Sequence, residues 1–199
     1  MQLYRDTDYA AVSAALHARE AKLLTQAMAE RMIDAATPEE SCKTLLECGY
    51  APLERCTLEN VEHALSQARR ELYREVSVLA PDKRIVELFQ IKYDYHNAKL
   101  ALKSKRTGED VSRLAMDCGR FDAQKVLRGE PSAVSAALSR AMAQAESAAG
   151  HSGDVRMAEL LLDRACYEEM SALASETGST FLKDYVALQI DAVNLRTLV

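Results

Sequence analysis

The chain lacks tryptophan altogether and carries only three phenylalanines, seven glycines and four prolines in 199 residues. With so few helix breakers, 32 alanines and 25 leucines fill long segments with strong helix formers, and an all-α fold is expected. No stretch approaches the ~20 consecutive apolar residues that would cross a bilayer. An excess of cations is missing too. Lys+Arg number 25 against 30 Asp+Glu, a net charge of -5, which speaks against a duplex-DNA binder and against nucleic acid as a partner. The five cysteines (Cys42, Cys48, Cys56, Cys118, Cys166) are odd in number and form no C-x-x-C pair. Reduced thiols are therefore expected, with neither a zinc site nor a disulfide framework. The start, Met-Gln-Leu-Tyr-Arg-Asp, has no basic segment followed by an apolar core, so no secretory signal is read and a cytosolic location is expected.

Catalytic signatures are absent as well. There is no Glu-x-x-His pair for di-iron chemistry, no Gly-x-x-x-x-Gly-Lys-Ser/Thr phosphate loop and no Gly-x-Ser-x-Gly elbow. The chain is not expected to hydrolyse ATP or to need a cofactor or metal. His17, His63, His96 and His151 are scattered, and His96 falls on an apolar arc where a hydrogen-bonded core histidine is the plainer reading.

What the sequence does contain is a succession of amphipathic segments. The pattern predicts long helices near 5–34, 57–79, 82–105, 131–148, 154–174 and 179–198, and shorter ones near 38–48, 109–117 and 121–128. Pro38, Pro81 and Pro131 sit where a first helical turn tolerates a missing N–H. Thr37-Pro38-Glu39-Glu40 reads as an N-cap, a proline at the first helical position and two acids in the positive first turn, with Gly49 and Pro52 closing that helix. Segment 82–105 has apolar arcs on two sides, and the last helix repeats the habit: Phe181, Tyr185, Leu188, Ala192 and Leu195 form one stripe, Leu182, Val186 and Val193 another. The alanine-rich stretch from Ala133 to Ala149 suits either close core packing or reception of a partner helix.

An internal repeat runs through these segments. Pro38 with Leu45 returns as Pro131 with Leu138, Tyr73 returns as Tyr167, and Asp94-x-x-Asn97-x-Lys99 returns as Asp191-x-x-Asn194-x-Arg196. Asp and Asn at i, i+3 share a helix face and can bond to a neighbouring element. A further near match, Leu46-Glu47-Cys48-Gly49 beside Met116-Asp117-Cys118-Gly119, has a different offset and is read as coincidence. Modules at 1–105 and 106–199 are expected. Arg19 lies on the stripe of Tyr9, Val12, Leu16 and Leu23, so its guanidinium either reaches solvent or meets a buried acid, for which Asp94 or Asp191 is the candidate. Of Tyr93 and Tyr95, at least one is expected to pack with its hydroxyl on a polar partner.

Residues Tyr9 to Val12, Arg19 to Leu24, Leu45 to Tyr50, Tyr93 to Lys99 and Ile190 to Arg196 together resemble the C subunit of V-type and A-type rotary ATPases, the family of the eukaryotic d subunit. The resemblance implies a funnel-like assembly of similar helical modules with no catalytic activity. It also implies a position at the cytoplasmic end of the membrane rotor ring, peripheral to the membrane, joining the ring to the central stalk in ion (proton or sodium) transport. Such subunits usually have three modules, so with two Asp-x-x-Asn copies this chain is expected to lack one. Lys99, Lys103, Lys105 and Arg106 would then face an acidic stalk partner or anionic lipid headgroups, or simply end a helix in solvent with cations matching its dipole. A helical scaffold unrelated to ATPases is the alternative, and a helical enzyme with dispersed catalytic residues a third.

Overall fold

The computed structural model of the chain describes residues 4–152 and 155–198, and within them every regular element is helical. The contacts divide the chain into two compact units, one ending at Asp82 and one beginning at Lys83. The module boundary expected at residue 105 rests on sequence landmarks, a different matter from contact density. Contact density places the helix preceding that boundary with the helices after it.

The first unit holds α1 (Ala10–Glu20), α2 (Gln26–Ile33), α3 (Pro38–Glu47) and α4 (Leu58–Leu79). The single helix expected over 5–34 is broken at residues 21–25, because the Thr25 hydroxyl accepts the Met28 N–H at 3.3 Å and starts a new helix there. Thr37 and Thr57 do the same for α3 and α4, taking the Glu40 and Asn60 N–H groups. Pro38 stands at the start of α3 as expected. Gly49 ends that helix with φ +82°, a conformation strained for any side chain. One expectation is overturned here: Cys42 on α3 and Cys56 just before α4 form a disulfide, their Cα atoms 6.3 Å apart. The spacing rule could not find it, because α3 and the turn after it bring together two residues that carry no pairing motif. Cys48, Cys118 and Cys166 lie outside this disulfide.

The second unit holds α5 (Lys83–Thr107), α6 (Ala123–Leu127), α7 (Ala136–Ser152), α8 (Val155–Thr177) and α9 (Thr180–Leu198). Its core is built from Leu88, Ile91, Tyr95, Val126, Leu138 and Leu162, none more than 1% exposed. Ala141, Ala145 and Ala149, one turn apart on α7, are buried in the same cluster as Ala158 and Leu162 of α8, so the alanine-rich segment is used for core packing. Helix α7 begins five residues later than expected. Ser135 caps it through the Leu138 N–H at 3.1 Å, and Pro131 opens only a single 3₁₀ turn, Pro131–Ala133. The helix expected over 109–117 is reduced to another such turn, Ser112–Leu114.

The two doubly striped helices fare differently. Helix α5 is covered on several sides by α6, α7 and α8. Helix α9 buries Leu182 and Val186 against the core, but leaves Phe181, Leu188 and Leu195 between 64% and 72% exposed.

Candidate functional site

The first Asp-x-x-Asn element organises a polar cluster inside the second unit. Asp94 is completely buried. Its Oδ1 accepts the backbone N–H groups of Arg120 (2.9 Å) and Phe121 (3.3 Å), and its Oδ2 accepts Arg120 Nε at 2.7 Å. One turn on, the Asn97 amide donates to the Met116 carbonyl and accepts the Met116 N–H, both at 2.9 Å. Gln90 donates to the carbonyls of Cys118 and Gly119, and His96 Nε2 lies 3.2 Å from the Leu114 carbonyl. One face of α5 thus satisfies, residue by residue, the backbone of an irregular loop from 114 to 121. That explains why 109–117 holds only one 3₁₀ turn, closed by the Leu114 and Ala115 N–H groups on the Val111 and Ser112 carbonyls: from Met116 onward the loop bonds to side chains of α5.

Arg120 carries the cluster across to α8. Its Nη1 donates to Glu169 Oε1 at 2.8 Å, and Glu169 Oε2 accepts the Tyr95 hydroxyl at 2.9 Å. Burial pushes the Asp94 carboxyl above its ordinary value, against the pull of Arg120 and the two amides. For Arg120, burial alone would lower the pKa, but the bonds to Glu169 and Asp94 outweigh it and hold the guanidinium above its usual range. Burial, reinforced by the neighbouring Glu169, raises the Tyr95 phenol. A Cβ at Gly119 would collide with Asp94 Oδ1, so glycine there follows from close approach, not from backbone conformation. Gly49 is glycine for its positive φ, so the Cys-Gly pairs at 48–49 and 118–119 have different physical causes, in line with the coincidence reading.

The remaining candidates from the sequence have other surroundings. Arg19 pairs with Glu75 on α4, with both side chains more than a third exposed, and not with Asp94 or Asp191. Asp94 instead holds Arg120, and Asp191 is on the surface. Arg19 also borders an apolar cleft of about 910 Å³ within the first unit, lined by Val12, Leu16, Leu23, Tyr50 and Leu72.

The basic cluster is paired along its own unit, with Lys103, Lys105 and Arg106 still exposed. Lys99 pairs with Asp163 and Lys103 with Glu159 at 2.8 Å, both on α8. Lys105 pairs with Glu146 at 2.9 Å and Arg106 donates to the Ala149 carbonyl, both on α7. Acids one turn apart on α8, Glu159 and Asp163, meet cations one turn apart on antiparallel α5, which is why these cations close a helix seam here. Asp191, Asn194 and Arg196 lie exposed on α9. Sequence reasoning missed Arg120, Glu169, Gln90 and Gly119. The one available signal was Met116-Asp117-Cys118-Gly119, whose importance comes from Asp94, more than twenty residues upstream.

The cluster is closed, and its carboxylates, amides and hydroxyl are bonded to one another, with Arg120 Nη2 the buried nitrogen left over. It is suited to holding a loop in place. No group of three His, Cys, Asp or Glu among the described residues is arranged to hold a metal ion. Among the same residues no helix is long and apolar enough to cross a membrane.

The family model for the ATP synthase (C/AC39) subunit matches residues 12–199. The chain belongs to this family. Among curated proteins it is 25% identical over 205 residues to the C subunit of the V-type ATP synthase of Thermus thermophilus, covering 96% of this chain and 62% of that protein. It is 22% identical over 195 residues to the C subunit of the V-type sodium ATPase of Enterococcus hirae, covering 96% of this chain and 60% of that one. The chain thus spans about three fifths of the length of these relatives. No solved structure matches it.

Proposed function

We propose that the chain acts as a non-catalytic central-rotor subunit of a V/A-type rotary ATPase, seated between the membrane rotor ring and the central stalk. It would work on the cytoplasmic side, peripheral to the membrane, with no active site and no cofactor of its own. The observation that carries this reading is the family match over residues 12–199, together with two relatives named as the C subunit of such enzymes. The helical architecture agrees with a passive connector: cations and acids are spent on joining helices, and the deepest polar cluster stabilises a loop.

Within this reading the chain carries two copies of one helical module, at 1–105 and 106–199. Support comes from register, since Asp94 is the twelfth residue of α5 and Asp191 the twelfth of α9. The test is reconstitution. The tagged chain, mixed with rotor-ring and central-stalk proteins of the same organism, should co-purify with both. Retention of neither would remove the rotor assignment.

A further inference from the structure

Resting on the repeat just proposed, we infer that the outward face of α9 is a docking site for an arginine-bearing polypeptide loop. The loop would be of the same chemistry as the one that α5 holds, and Asp191 would receive its arginine.

Helices α5 and α9 place their Asp-x-x-Asn elements at the same position from their starts, which sets the other residues in register. Ile91 and Ala98, flanking Asp94 on its face, are 0% and 1% exposed. Their counterparts on α9, Leu188 and Leu195, are 64% and 66% exposed. Asp94 and Asn97 are fully buried and saturated by a guanidinium, three backbone N–H groups and a carbonyl. Asp191 and Asn194 are exposed, and among the described residues neither side chain has a partner.

The opposite side of α9 is already committed to the core through Leu182 and Val186, so the bare stripe is the helix's second apolar side, not a misplaced first one. Phe181, Leu188 and Leu195 run down that stripe, with Asp184 and Asp191 along one edge. Such a surface has apolar area to bury and negative charge to pair. What complements it is what covers α5: an arginine following a glycine, offering its own N–H and the next one to the carboxylate, with apolar residues behind. Residues 114–121 are already held by Asp94 and its neighbours on α5, so the occupant is an arginine-bearing loop of a partner polypeptide and not this loop.

The probe is a synthetic peptide of residues 114–128 carrying Cys118→Ser, titrated into the isotope-labelled full chain and followed by amide chemical shifts. Shifts are expected along α9 between residues 181 and 195. Affinity should fall at least tenfold for Asp191→Asn or Leu188→Ser in the chain, and equally for Arg120→Gln in the peptide. Weak affinity is exposed by tethering the same peptide after Val199 through a flexible Gly-Ser linker, which raises its effective concentration to the mM range. In that form the α9 amides should gain hydrogen-exchange protection, which Asp191→Asn removes. Absence of protection in the tethered chain, shifts confined to the α5 loop, or binding indifferent to Asp191→Asn would overturn the proposal. Failure of the rotor co-purification alone would leave it standing, because the titration involves no rotor protein.

Discussion

Asp94 and Asp191 carry the same motif and have opposite surroundings, so substitution separates them. Asp94→Ala leaves the Arg120 guanidinium buried with one partner lost, and breaking a buried pair from one side costs about 3–5 kcal/mol. Asp191→Ala removes an exposed carboxylate and should shift stability by no more than about 0.5 kcal/mol. Urea unfolding of the two variants against the parent measures both, and equal losses would contradict this account. Gly119→Ala should be destabilising by about 1–3 kcal/mol, because its Cβ must displace the Asp94 carboxylate that the loop is bonded to. The same unfolding experiment measures that loss, and a neutral Gly119→Ala would remove close approach as the reason for glycine there.

Cys166 gives the pH dependence at the same scale. Burial pushes its thiol up from 9.0 to about 12, so the folded state keeps a proton that the unfolded state releases. Between those values the unfolded chain binds fewer protons, and stability falls as pH rises, by at most about 1.4 kcal/mol per pH unit for one group. Tyr95, also raised by burial, adds to the slope above its ordinary 10.0. Thermal midpoints from pH 8 to 11 should therefore decline, and Cys166→Ala should decline less steeply. A parallel profile for both proteins would show that the thiol does not contribute.

At the scale of elements, the long alanine- and leucine-rich helices were legible because propensity and amphipathic period agree, and Thr37-Pro38-Glu39-Glu40 because its chemistry is local. The illegible parts depended on distant partners. Residues 109–117 have helical composition, yet Leu114, Met116 and the residues that follow are held by His96, Asn97, Gln90 and Asp94 on another element. The break between α1 and α2 rests on one threonine hydroxyl in a stretch of good helix formers. The α5–α8 seam was hidden for a similar reason: Lys99 and Lys103 read as a free basic face until Glu159 and Asp163 are brought opposite. These dependences make a prediction about the loop. Asn97→Ala deletes both bonds to Met116, so amides of residues 115–121 should lose hydrogen-exchange protection while α7, which Asn97 does not bond, keeps its own. Uniform loss across the second unit would mean that Asn97 supports the whole core instead.

For the whole molecule, ordered landmarks in the sequence support the proposed repeat, whereas the partition of contacts was not legible there, because α5 belongs by packing with the helices C-terminal to it. The same partition separates the cysteines. The disulfide joins Cys42 and Cys56 in the unit ending at Asp82, and the buried Cys118 and Cys166, which form no disulfide, lie in the other. That first unit has few buried hydrophobic residues, Val12, Ala64 and Ala80 among those described, so a covalent tie counts for more in it. Closing a loop of this length restricts the unfolded chain by about 3 kcal/mol. A reducing compartment would hold the pair as thiols and withdraw that contribution. Hydrogen exchange read separately over residues 10–79 and 83–177, with and without reductant, tests the partition and the bond together. Reduction should accelerate exchange in α3 and α4 and leave α5, α7 and α8 unchanged, and Cys42→Ser should reproduce the effect without reductant. Equal acceleration in both units would show that they unfold as one.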